Sequence, residues 1–167
     1  MMKSQGRSKR IEVSHGTPEA AVEQLGLPSQ VSYGQLIKAV EVEHGKPIVV
    51  RAVPRSTLPG VSGLWLETES KSHILVHKDH SDLHKMHVVC HELGHILLRH
   101  EGCDGMALPA PSIFNHLGRH RGIKRMLARS PQWNDVEKAA EEVAYMLSGM
   151  VLEKEVVSVS QFERVFG

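Results

Sequence analysis

Leu83, Met86, Val89, Cys90, Leu93, Ile96 and Leu97 recur at spacings of three and four, so the chain from Ser81 to about His100 is expected as a helix with one apolar stripe, stopped at Gly102. A stripe of that width has to be buried against another layer. The segments before it supply one. Ile48 to Val53 is a β-branched run, Leu64 to Leu66 and His73 to His77 read as further short strands, and Pro54, Pro59, Gly60 and Gly63 carry the turns between them. A three-stranded antiparallel sheet or meander packed on helices is the economical outcome, which makes the fold class α+β with a small, mostly antiparallel sheet.

Two helices are expected before that sheet. Thr17 is a good N-cap with Pro18 at the first helical position, for a short helix ending near Gly26. Ser32 caps a second helix, which carries Leu36, Ile37 and Val40 on one side and stops at Gly45 with Pro47 beyond. After a proline-containing loop, Met106 to Pro111, the stretch Ile113 to Arg129 is expected to be helical in places. A last long helix begins near Pro131 or Asn134, with Val136, Ala140, Val143, Ala144, Leu147 and Val151 on its apolar face. A short helix is expected at Phe162 to Phe166. Residues Met1 to about Ser14 are polar and basic with little to bury and read as a tail. The expected organisation is an N-terminal tail with a short helix over 1–30 and one domain over 31–167, since 167 residues with 41% apolar content suffice for a single core of modest size.

A formal charge of +1 gives no global argument for a nucleic-acid or membrane partner. The sequence has no apolar N-terminal run and nothing approaching the roughly 20 apolar residues of a membrane span, and its cysteines, Cys90 and Cys103, number two. A cytoplasmic chain with reduced thiols is the expectation. The 12 histidines are more informative, because several crowd between Leu75 and His100.

Among them, His91-Glu92-Leu93-Gly94-His95 is an H-E-x-x-H pattern. On a helix of 3.6 residues per turn, two histidines four apart project from one face, so both imidazoles reach one zinc ion. Glu92 is angled away from ligation but close enough to take the proton of an attacking water. A catalytic zinc site wants three protein ligands. The position six after His95 is Glu101, so no third His stands where an extended histidine pattern needs it, and Cys103 follows the motif rather than preceding it. A carboxylate from the last helix remains, with Glu137, Glu141 and Glu142 as candidates.

The segment His91 to His100, together with Glu137-Lys138-Ala139-Ala140-Glu141-Glu142-Val143-Ala144, resembles the ImmA/IrrE family of zinc metallopeptidases. The resemblance covers roughly Ser32 to Leu152. It implies a zincin-like domain in which Glu137 is the third zinc ligand and Glu141, in a place held in the family by Asn or Asp, orients a ligand imidazole through its other nitrogen. It also implies hydrolysis of a peptide bond in a specific protein, a repressor or antitoxin-like regulator. A rival from another class is a zinc-stabilised binding or sensor protein acting by association, suggested by Ala139, which stands where many relatives carry another Glu.

Other residues have milder expectations. His84 and His87 share helical spacing with His91 and read as polar-face or cleft residues. His100 is expected to hydrogen-bond near the helix end. The strand between His73 and His77 would, in the family's layout, be a sheet edge open to a substrate peptide, with an ordinary surface strand as the alternative. Cys90 reads as a small buried apolar group. The basic run Arg119 to Arg129 lacks interleaved aromatics, so a solvated segment is expected rather than a DNA-binding one.

Overall fold

The computed structural model describes residues 16–100, 125–128 and 135–152. Helix α1 (Pro18–Glu23) starts where Thr17 accepts a hydrogen bond from the Ala20 N–H at 3.3 Å. Helix α2 (Tyr33–His44) opens with a reciprocal cap: Ser32 accepts from the Gln35 backbone, and the Gln35 side chain accepts from the Ser32 N–H. It closes at Gly45, whose φ of 75° is a left-handed conformation that glycine enters without a Cβ penalty.

Three strands follow, β1 (Ile48–Val53), β2 (Gly63–Glu67) and β3 (Ser72–His77), and a fourth, β4 (Arg125–Ala128), joins them from far along the chain. Their order is β1-β3-β2-β4. β1 runs parallel to β3 with Val50 opposite Ile74, whereas β2 is antiparallel to both neighbours, Trp65 facing Ile74 on one side and Leu127 on the other. The sheet is therefore mixed, and the expected meander is corrected. Turn length explains the difference. Residues 68–71 make a tight β2–β3 hairpin in which the Thr68 N–H donates to the Lys71 carbonyl. The β1–β2 connection, by contrast, runs through Pro54, a 3-10 turn (Arg55–Thr57) and Gly60, long enough to step over β3. Arg125–Ala128, expected to be helical, is strand because the outer edge of β2 supplies backbone partners that local sequence does not reveal. The rest of Ile113 to Arg129, the tail before residue 16 and the Phe162 to Phe166 segment lie outside the described residues.

β3 is an interior strand paired on both sides, so the expectation that it forms an open edge is also corrected. Each of its residues is buried. Alternation divides the sheet into two faces. Trp65, Ile74 and Val76 face the helices, and Leu64, Leu66 and Leu75 join Val53 and Leu58 on the opposite side.

Under the first face lie α3 (Asp82–Leu97), begun by a Ser81 cap, and α4 (Asp135–Leu152). Met86, Val89, Leu93, Val143, Ala144 and Leu147 are completely buried between these layers. Full burial of such a side chain stabilises the fold by about 1.5–3 kcal/mol. Ala21 of α1 belongs to the same core. Val136, expected on the apolar face of α4, is instead 42% exposed at the first turn. Helix α3 stops several residues before Gly102: Leu98 caps it, Arg99 turns with φ 53°, and the His100 N–H returns to the His95 carbonyl at 3.0 Å. Among the described residues no helix is long and apolar enough to cross a membrane.

Candidate metal centre

His91 and His95 stand one turn apart on the buried face of α3, with Nε2 atoms 3.0 Å from each other. Helix α4 reaches them because of Gly94. A Cβ there would lie 2.7 Å from the Ala140 carbonyl oxygen and 3.1 Å from Ala140 Cα, so the two helices touch backbone to backbone. One turn before Ala140, in the first turn of α4, Glu137 places Oε2 3.3 Å from His91 Nε2 and Oε1 3.7 Å from His95 Nε2.

Among the described residues, these three side chains are the group placed to hold a metal ion. All are buried, and their donor atoms lie within 4.8 Å of one another. Two imidazole nitrogens and one carboxylate suit a borderline divalent cation. Bonds of about 2.0–2.1 Å to a tetrahedral ion imply donor separations of roughly 3.3 Å, close to those found here.

Groups behind the ligands fix their orientation. His91 Nδ1–H donates to Glu141 Oε2 at 2.9 Å, and His87 Nε2–H donates to the other oxygen of that carboxylate at 2.9 Å. A carboxylate can only accept, so His91 carries a proton on Nδ1 toward Glu141, and Nε2, 3.3 Å from Glu137 Oε2, is the nitrogen that a cation shared with Glu137 would take. His95 Nδ1 lies 2.8 Å from His100 Nδ1. With His95 Nε2 directed inward as a lone pair, its Nδ1–H is the donor and His100 accepts. The same carboxylates set the electrostatics. Burial alone would pull the His91 imidazolium down, but Glu137, Glu92 and Glu141 outweigh it and the net direction is upward. Burial works to raise Glu141, yet its hydrogen bonds to His87 and His91 hold it below the ordinary carboxylate range.

Glu92 is almost fully buried, and its carboxylate is wedged beside the start of β2. A Cβ on Gly63 would stand 2.9 Å from Glu92 Oε1 and 2.5 Å from Val88 Cγ1. Gly63 reads from sequence as turn chemistry, but it is a strand residue whose missing side chain makes room for that carboxylate. The signal for Gly94 was present, since glycine inside a helical pattern marks close packing or function.

Of the three glutamates open as ligands, Glu137 faces both histidines, Glu141 lies behind His91, and Glu142 is exposed. His87 is bound to Glu141, in keeping with a cleft residue. Cys90 is completely buried and its thiol is pushed up to about 12 by burial, which makes it an inert packing group. The chain matches no family model, no curated protein and no solved structure.

Proposed function

We propose that this protein is a zinc-dependent endopeptidase with Glu92 as its general base. The observation that carries the reading is the convergence of His91, His95 and Glu137, each buried, with a second carboxylate one residue from the first ligand. Bound at that position, zinc supplies Lewis acidity that polarises a peptide carbonyl and acidifies water. Glu92 takes the proton of the attacking water and delivers it to the departing amide nitrogen. Glu141 and His100 hold the two ligand imidazoles in the tautomer that offers Nε2 inward. The packing of Glu92 against Gly63 and Val88 keeps its carboxylate from swinging into the ligand set.

The substrate class follows from the resemblance to ImmA/IrrE metallopeptidases: a repressor or antitoxin-like protein, cut at one bond. Incubating the zinc-loaded protein with a repressor-type regulator from the same source tests both parts. Glu92→Gln is expected to keep one equivalent of zinc and to lose cleavage by at least about a hundredfold, in line with the usual contribution of a general base. Cleavage retained by that variant would remove Glu92 as the base, and an uncut regulator held in a stable complex by the wild type would replace hydrolysis with regulation by association.

A further inference from the structure

A cavity of about 340 Å³ opens beyond the ends of β2 and β3, lined by Arg55, Leu58, Val61, His77, His80 and His84 among others. Three imidazoles stack across it, His77 on His80 at 4.9 Å between centroids and His80 on His84 at 4.2 Å, both edge to face. His77 is 5% exposed. Its Nε2–H donates to the Val61 carbonyl at 2.6 Å, while its Nδ1 and that of His80 are buried without a hydrogen-bond partner among the described residues. Leaving such a nitrogen unpaired costs about 1–3 kcal/mol; the Nδ1 of His77 is a lone pair, whereas that of His80 can carry the ring proton and marks a place shaped for an acceptor guest.

The charge around the cavity selects the guest. Arg55 forms no ion pair among the described residues, and none of the lining side chains is a carboxylate. The amino end of α3, with its partial positive charge, begins at Asp82 beside it. A second metal is disfavoured: His77 Nε2 is engaged, the three histidines do not converge as His91, His95 and Glu137 do, and Arg55 repels a cation. Burial first, then His84, His77 and Arg55, press the His80 imidazolium below its ordinary range against Asp79, so His80 meets a guest as a neutral ring and Arg55 supplies the charge.

Position gives the guest its role. His84, Val88 and Glu92 are successive turns of one face of α3, about 12 Å from end to end at 1.5 Å per residue. Val61 and Ser62, on the wall of the cavity, lead directly into Gly63 against Glu92. An extended peptide covers that span in three to four residues at about 3.3 Å each. We infer that this cavity receives an aspartate or glutamate side chain of the substrate, three to four residues from the bond that is cut. The inference rests on the peptidase reading for the word substrate, and the experiment separates the two.

The first arm is binding without turnover. Acetyl-Gly-Glu-Gly-amide is titrated into the zinc-loaded protein while histidine imidazole resonances are followed by NMR, beside the same peptide with Gln. Saturable shifts at His80 and His84 are expected for the Glu peptide alone, and Arg55→Ala should weaken them about tenfold, the loss of one charge-assisted hydrogen bond. The second arm is cleavage of a peptide library with one Glu moved through every position. Wild-type cuts should be enriched for Glu three or four residues from the bond, and Arg55→Ala should erase that enrichment while still cutting. Binding of the Glu peptide with no cleavage anywhere in the library upholds the acidic-peptide pocket and overturns hydrolysis. Cleavage indifferent to Glu, equal shifts from the Gln peptide, or equal shifts from inorganic phosphate would overturn the pocket.

Discussion

At the scale of single residues, Arg99 carries the clearest backbone strain among the described residues. It holds φ at 53°, in the left-handed region, and this turn brings His100 back onto His95. For a residue with a Cβ that conformation costs about 1 kcal/mol or more. Arg99→Gly should therefore raise stability by about 0.5–1 kcal/mol, as a higher urea midpoint with an unchanged slope, and leave zinc affinity intact. A lower midpoint would mean that the Arg99 side chain, 3.7 Å from Glu43, matters more than the turn. His80 provides a second residue-level prediction. Because its folded pKa is depressed, the unfolded chain binds the proton first, so this group's contribution to stability falls as pH drops below about 6.5. Burial sets the sign, His84, His77 and Arg55 add to it and Asp79 opposes it: an NMR titration should place His80 below the ordinary histidine range, and Asp79→Asn should lower it further. An ordinary or elevated midpoint would contradict the buried setting assigned to this ring.

Elements were legible in the sequence to the degree that their signals are local. Thr17 and Ser32 cap the helices they were expected to cap, and Ser81 caps the helix whose periodicity begins there, because an N-cap needs only a side-chain oxygen and the next two or three N–H groups. The ligand pair His91 and His95 was legible for the same reason, one turn of one helix. The sheet was not: whether β1 pairs with β2 or β3 depends on a crossover, and β4 exists only through its partner, so neither pairing leaves a trace in local periodicity. The α3–α4 contact is an intermediate case: Glu137, Glu141 and the apolar face of α4 were foreseeable, and Gly94 signalled close packing without revealing that Ala140 is what it meets. That contact is testable. Gly94→Ala forces a methyl group into the Ala140 backbone, which cannot rotate away as a side chain would. It should destabilise the fold by about 1–3 kcal/mol and weaken metal binding together with it, read by denaturation with and without zinc. A variant with wild-type stability and zinc affinity would show that α4 can withdraw without disturbing Glu137.

For the molecule as a whole, the candidate metal centre brings together side chains from distant parts of the chain. His91 and His95 belong to the helix that follows the hairpin, Glu137 to a helix some forty residues later, and only packing of α4 on α3 brings them together. A cation bound there stabilises the native state alone, by about 2.7 kcal/mol when its free concentration is a hundred times its dissociation constant. The account rests on that shared cation, and the most direct measurement is zinc affinity by competition with a chromophoric chelator, for the wild type and for Glu137→Ala, with circular dichroism to confirm that both are folded. One zinc per chain is predicted for the wild type. Affinity should fall by at least about tenfold in Glu137→Ala, and chelation should lower the melting temperature of the wild type far more than that of the variant. A folded Glu137→Ala protein that binds zinc as tightly as the wild type would contradict the account.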